Sequence, residues 1–304
     1  MKIFVTGGAG FIGSYIVREL LKRNHSVTVF DNLSTGYKSN LPEDVNLIVG
    51  DVRDKDMLIS SLAGYDAVIH LAAQAIVPIS VKDPETTYAI NVGGGRNLLE
   101  AMVKNGVSKL VHSSTTAVYG NPKKQPISED DPKNPVNPYG ESKLIFEGLC
   151  EEFHKKHGLN ITMFRYFNPF GPHEKHEPES HAIPNFIYST LESRPLPLYW
   201  NGEQIRDFFY VKDLAEMHVQ ALSLGGFSAY NLGSGQGIAV KDVVEKVFKV
   251  AGKTTEINDL GARPGDPPKL IADISKAKSE LGWNPTPIED ALKETVDYFQ
   301  KTLE

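Results

Sequence analysis

Lys2-Ile-Phe-Val-Thr-Gly-Gly-Ala-Gly-Phe-Ile-Gly-Ser14 opens the chain, and its reading decides the fold. Residues of strand-forming character run into glycines at 7, 10 and 13, after which Phe11, Ile12, Tyr15, Ile16, Val17, Leu20 and Leu21 recur at helical spacing. The stretch therefore reads as strand, tight turn and helix. A helix that begins inside a glycine turn presents unpaired N–H groups and the positive end of its dipole. Without Cβ atoms, that backbone can approach a pyrophosphate closely. Glycines also collect in loops for turn geometry alone; the strand before and the helix after are what favour a nucleotide site.

The same alternation continues outward. Apolar runs at 2–6, 26–30, 45–49, 66–70, 108–113 and 160–165 are continuous, as strands covered on both faces are. Helical patterns separate them near 11–24, 54–62, 84–105 and 139–157. The expectation is an α/β protein with a doubly wound parallel sheet of about seven strands, of Rossmann type. After about residue 170, Pro172, Pro178, Pro184, Pro195, Pro197, Pro264, Pro267, Pro268, Pro285 and Pro287 punctuate shorter elements, two of them strand-like at 196–199 and 206–211. These place a dinucleotide-binding domain at 1–170, with later segments returning to it, and a smaller, mainly substrate-binding domain at 171–304.

Composition excludes several alternatives. The 304 residues carry a net charge of −6 with both signs interspersed, which argues against a nucleic-acid surface, so an anionic ligand must meet locally placed cations. The single cysteine, Cys150, lies in an apolar helical stretch and reads as a buried thiol. No run of eighteen apolar residues is present and the start lacks a signal-peptide pattern, so the chain reads as soluble and cytoplasmic, with no membrane partner.

Three constellations carry chemistry. Asp31 closes the second strand eighteen residues after Gly13, near the offset of about 20 at which a carboxylate accepts from an adenosine ribose hydroxyl. It would repel a 2′-phosphate, and Asn32 follows where an arginine could have neutralised it, so NAD is favoured over NADP. Asp51, at the end of the third strand with Val52 beside it, is either an adenine contact or a helix N-cap. Tyr139-Gly-Glu-Ser-Lys143 puts a phenol and an ammonium one helical turn apart, at the start of a helix whose entry Pro138 fixes. A tyrosine of pKa about 10 is a poor base at neutral pH. Lys143 and a cationic nicotinamide ring together are expected to lower it. A second Tyr-x-x-x-Lys, Tyr119 to Lys123, sits in a Pro/Gly loop that cannot hold such a pair on a helix face. Ser113 to Thr116 bring hydroxyls to the sheet's carboxyl edge, either as local turn formers or around a substrate alcohol.

Thr6-Gly-Gly-Ala-Gly-Phe-Ile-Gly-Ser14, Asp31 to Gly36, Gly50-Asp-Val52, His70-Leu-Ala-Ala73, Ser113-Ser-Thr115 with Val118-Tyr-Gly120, Tyr139 with Lys143, Arg165-Tyr-Phe-Asn168, Arg206-Asp-Phe208 and Arg263-Pro-Gly-Asp266 follow in order along nearly the whole chain. Together they resemble the extended short-chain dehydrogenase/reductases that act on nucleotide sugars. The resemblance implies an NAD-dependent 4-epimerisation of a UDP-sugar (UDP-glucose/UDP-galactose) through a transient 4-keto intermediate, and a homodimer formed through the 84–105 and 139–157 helices. Thr115, Tyr139 and Lys143 fall on its catalytic positions. Gly7, Gly10, Phe11, Ile12, Asp31, Asn32, Leu33, Ser34, Thr35, Gly36, Asp51, Val52, Leu71, Ala72, Ala73, Gln74, Asn91 and Phe167 fall, with Tyr139 and Lys143, on cofactor positions. Asn168, His181, Arg206, Arg263 and Asp266 fall, with Thr115 and Tyr139, on substrate positions. Two arginines suit a diphosphate held by an acidic protein; otherwise Arg206 and Asp207 form a surface ion pair.

Departures from the family pattern narrow the expectation. Thr116-Ala117 stand where related dehydratases and decarboxylases have an acid, which favours epimerisation. His181 replaces a frequent asparagine, and Leu270 replaces the tyrosine associated with gating bulky C2 groups. A 4-epimerase of UDP-glucuronate or of UDP-N-acetylhexosamine is the alternative, as is a non-catalytic NAD-binding regulator. The loop His173 to His181 has metal-capable side chains without a standard ligand spacing, so no metal is expected.

Overall fold

The computed structural model describes residues 1–174, 181–261 and 267–303. Two compact units divide the chain: Met1–Asn121, Pro132–Tyr166 and Leu214–Tyr230 form one, and Pro122–Asp131, Phe167–Asp213 and Asn231–Glu304 the other.

The first unit is built on β1 (Lys2–Thr6), β2 (Ser26–Asp31), β3 (Asn46–Val49), β4 (Ala67–His70), β5 (Lys109–Thr115) and β6 (Asn160–Tyr166). They pair in parallel in the order β6-β5-β4-β1-β2-β3, and the strand Phe227–Leu232 joins beside β6 to make seven. The expected doubly wound sheet is therefore present. Past their first residues β1, β2, β5 and β6 are buried throughout, which is why their apolar runs do not alternate. β5 and β6 run one residue or more beyond the sequence-based bounds, so that Thr115 pairs with Tyr166 at the last ladder position.

The helices are α1 (Phe11–Lys22), α2 (Lys55–Ser61), α3 (Val77–Lys82), α4 (Pro84–Tyr88), α5 (Gly95–Asn105) and α6 (Pro138–His157). The single helix expected over 84–105 is three pieces: between α4 and α5 lies a π-helical segment, Ala89–Gly94. Glycines permit the close packing that follows it, since a Cβ on Gly94 would fall 2.5 Å from Val52 and one on Gly95 2.4 Å from Phe146. Helix α6 starts as expected, with Pro138 in its first turn and Asn137 accepting from the Gly140 N–H at 2.9 Å.

In the second unit Asn168–Phe170 pairs in parallel with Phe208–Tyr210, and Ile205–Arg206 pairs antiparallel with Ile238–Ala239. The strand expected over 206–211 is thus broken at Asp207. The reason is a buried carboxylate: its oxygens accept from the Ser234 N–H and hydroxyl at 2.6 Å each, and from the Gly235 and Ala272 N–H groups at 3.0 Å. No helix among the described residues is long and apolar enough to cross a membrane.

Candidate active site

The carboxyl ends of β1, β2 and β3 place the glycine turn beside Asp31 and Asp51. Gly7 has a left-handed φ of +72°, and a Cβ there would lie 2.5 Å from the Ala72 nitrogen. At Gly13 the clash is worse, 2.2 Å from the Gly7 carbonyl oxygen. Gly10 differs, because a Cβ there meets only the Gly7 oxygen, at 3.4 Å. Gly10 is also the N-cap of α1, and no side chain caps that end. Two glycines therefore close the turn, while the third keeps a helix N-terminus approachable, which is what a pyrophosphate needs.

Asp31 is 8% exposed and accepts from the Ala9 and Leu33 N–H groups, both at 2.9 Å. Burial raises its pKa, and these two bonds oppose the rise. Each oxygen keeps a lone pair that a ribose hydroxyl can use. Asn32 Nδ2 donates to Asp51 at 3.0 Å and Asn32 Oδ1 receives the Ser34 N–H at 3.1 Å, while Leu33 takes a positive φ of 58° and Tyr37 N bonds Ala9 O at 3.0 Å. The 31–36 segment is folded around its own polar side chains. Asp51 does not cap a helix; Asp54 caps α2, accepting from Met57 N at 2.9 Å. Instead Asp51 pairs with Arg53 at 2.7 Å, and the Arg53 hydrogen bonds hold its carboxyl well below the usual range. Val52 is buried.

Asn91, inside the π segment, exchanges bonds with the Gln74 backbone, accepting from its N–H at 2.8 Å and donating to its carbonyl at 2.9 Å. It also donates to the Ser142 hydroxyl at 2.9 Å. The Leu71–Gln74 segment is thereby tied to α6.

At the ends of β5 and β6 the site is made of side chains. Tyr139 and Thr115 lie near one another, the Thr115 hydroxyl accepting from the Ala117 N–H at 3.2 Å; burial raises the phenol's pKa and the neighbouring Thr115 hydroxyl opposes the rise. Lys143 is 4% exposed, and its ammonium donates to the Ser113 carbonyl at 2.8 Å. Burial brings Lys143 down to about 8, with Glu147 pulling it back up. The ammonium is held on Ser113 while burial dominates at the phenol, and the expected lowering of Tyr139 calls on Lys143 and a cationic nicotinamide ring together. The second Tyr-x-x-x-Lys is structural at its tyrosine: Tyr119 is 1% exposed and its hydroxyl receives Arg165.

In the second unit, Asn168 Nδ2 donates to the Asp207 carbonyl at 3.1 Å and Arg206 is buried at 8% exposure, its Nη1 on the Ile205 carbonyl at 2.8 Å. The surface ion pair is excluded, since Arg206 and Asp207 are both buried. Phe167 is buried and bonds Leu232. His181 is 77% exposed and pairs with buried Glu174, whose charge raises the imidazole pKa. Arg263 and Asp266 lie outside the described residues, as do residues 175–180 of the His-rich loop.

Sequence reasoning assigned no role to Glu147, Tyr166, Ser142, His70 or His112. One signal was present: Glu147 interrupts the apolar stretch Phe146 to Cys150, and a carboxylate on a buried helix face requires a partner.

The chain matches the family model "NAD dependent epimerase/dehydratase family" over residues 3–233. It is 40% identical to the UDP-glucose 4-epimerase of Corynebacterium glutamicum, with 96% of this chain and 94% of that protein covered. Among solved structures it is similar to UDP-glucose 4-epimerase with UDP-glucose from Thermotoga maritima, with a TM-score of 0.97, 37% identity and both chains fully covered. It is also similar to the UDP-N-acetylglucosamine 4-epimerase of Methanobrevibacter ruminantium in complex with UDP-N-acetylmuramic acid, with a TM-score of 0.93, 34% identity and 99% of each chain covered. The chain belongs to the NAD-dependent epimerase/dehydratase family of extended short-chain dehydrogenase/reductases.

Proposed function

We propose that this protein interconverts UDP-glucose and UDP-galactose by NAD-dependent epimerisation at C4. The observation that carries the reading is Tyr139 one helical turn from buried Lys143, whose ammonium is held on Ser113 at the end of β5 where Thr115 lies, followed by Thr116-Ala117 where a dehydratase needs an acid. Gly7, Gly10, Phe11 and Ile12 hold the cofactor's pyrophosphate, Asp31 its ribose, and Asn32 to Gly36, Asp51 and Val52 its adenosine end. Leu71 to Gln74, Asn91 and Phe167 complete the cofactor's surroundings. Bound NAD supplies the hydride acceptor and a positive ring charge near the phenol.

Tyr139 takes the proton of the sugar 4-hydroxyl and returns it after the 4-keto sugar has presented its other face. Thr115 hydrogen-bonds the reacting oxygen. Asn168, His181, Arg206, Arg263 and Asp266 hold the uridine diphosphate, the arginines by charge-assisted bonds, while the sugar turns about its link to them. The first unit is read as the cofactor half and the second as the substrate half, in a cytoplasmic homodimer joined through residues 84–105 and α6. Ile145 on α6, 41% exposed, supports that interface.

The test is proton NMR of UDP-glucose incubated with the purified protein and NAD. Appearance of the galactose epimer without net NADH supports the reading; unchanged UDP-glucose in the presence of bound NAD rejects it. Leu270 favours a second reading, a 4-epimerase that accepts UDP-N-acetylglucosamine, and the same assay with that sugar decides it.

A further inference from the structure

Behind Thr115 and Lys143 lies a layer of buried polar groups that the reaction above does not use. Glu147 stands four residues after Lys143 on α6 and is 5% exposed. Its Oε1 accepts from the Ser114 hydroxyl at 2.6 Å and from Arg165 Nε at 2.9 Å; its Oε2 accepts from Arg165 Nη2 at 2.7 Å. Arg165 continues to the Tyr119 hydroxyl with Nη1 at 2.8 Å, its guanidinium 5.3 Å from the Tyr119 ring centroid. Burial works against the Arg165 charge, but the Glu147 hydrogen bonds and charge outweigh it.

A buried ion pair is a weak source of stability, since well-packed apolar groups often do as well. Its placement suggests another use. Ser114 and Arg165 are ladder partners one step before the last pair, Thr115 and Tyr166. Ser114 lies between Ser113, whose carbonyl receives the Lys143 ammonium, and Thr115, the residue whose hydroxyl acts on the Tyr139 phenol. Beyond Thr115 the chain leaves the sheet in a tight turn, Thr116–Tyr119, and the ladder gives it no further support.

We propose that Glu147, clamped by Arg165, is a positioning residue that acts through Ser114. It sets the end of β5 so that the Ser113 carbonyl anchors Lys143 and the Thr115 hydroxyl meets the Tyr139 phenol. The inference rests on the reading of Tyr139 as the base. A reacting group displaced by about 1 Å can cost two orders of magnitude in rate, so a strand end that carries two such groups benefits from a second anchor. Among the described residues, the ionisable groups near the phenol include Lys143, one turn on along its own helix, and Tyr166 on β6, and the variants below retain both.

The test uses S114A and E147Q with the cofactor retained. The Tyr139 titration is read as the difference in phenolate absorbance between each protein and its Y139F counterpart. In both variants the midpoint is expected to move up by about half a unit, as the Thr115 hydroxyl moves away from the phenol. Turnover should fall about tenfold in kcat, with KM within about twofold. A Tyr139 midpoint in S114A equal to that of the parent overturns the proposal, whatever happens to stability. If E147Q, which removes the carboxylate charge facing Arg165, does not fold, S114A decides alone because its ion pair is intact. Should the parent turn over no UDP-sugar, the functional reading fails while the titration still decides the positioning role.

Discussion

The glycine turn at β1 and the hydroxyl cluster at β5 lie at the carboxyl edge of one sheet and are built by opposite means. The turn is made of backbone: Gly7 and Gly13 leave no room for a Cβ, and Gly10 leaves a helix end uncovered. The cluster is made of side chains, with Lys143, Glu147 and Arg165 buried and satisfied by partners 18 to 46 residues away in the chain. A backbone site depends on what is missing at each position. A side-chain site depends on what its neighbours supply, so it can be altered one group at a time.

Substitutions at the two places should separate them. The largest effect is expected at Tyr139, where Y139F loses about 10²- to 10⁴-fold in kcat while retaining NAD; loss of NAD instead would move Tyr139 to the binding side of the comparison. R165M leaves Glu147 buried without its cation and should lower unfolding free energy by about 3–5 kcal/mol in urea titrations. In the glycine turn, G13A is expected to cost about 3 kcal/mol of stability, because the added Cβ meets a backbone oxygen. G10A should fold like the parent and bind NAD more weakly, measured by calorimetry. Equal stability loss in the two glycine variants would erase the distinction between closing the turn and baring it.

Per pH unit, a smaller effect concerns the histidines beside Lys143. His70 and His112 stack at 5.4 Å between centroids, and neither His112 ring nitrogen has a hydrogen-bond partner. Burial, with Lys143 adding to it, lowers His70 to about 3 and takes His112 well below its ordinary value. A histidine with a depressed folded pKa contributes stability that is present above the unfolded pKa of about 6.5 and is lost as pH falls toward the folded value. In H112F the fall in unfolding free energy between pH 6.5 and 4 should be shallower by about 1.4 kcal/mol per pH unit. An unchanged slope would mean that His112 takes up its proton in the folded protein.

How much of this was legible follows the same division. Glycine spacing, the carboxylate at Asp31 and the continuous apolar strands are local patterns, and the sequence-based reading of the sheet matches the structure. The pair of Tyr139 and Lys143 was visible as a spacing, but the spacing could not say that the ammonium turns to Ser113. Glu147 and Arg165 stand eighteen residues apart on a helix and a strand that only the folded sheet brings together. Asp207 breaks its strand because Ser234 and Ala272, far along the chain, supply its donors. The loss of regular helix at Ala89–Gly94 left no periodic trace, and its one local signal was the run Gly93-Gly94-Gly95, made of poor helix formers.

That π segment also makes chain length a setting. In a regular helix each residue adds about 1.5 Å and about 100° of rotation. The wider turn absorbs the surplus and leaves Asn91 on Gln74, Gly94 on Val52 and Gly95 on Phe146. When homologues are aligned, a gap placed anywhere within 89–94 therefore chooses which residue is compared with Asn91 and which helix face is compared with α5. Gap placement in this one turn is a structural statement, to be made from geometry before any column of residues is compared.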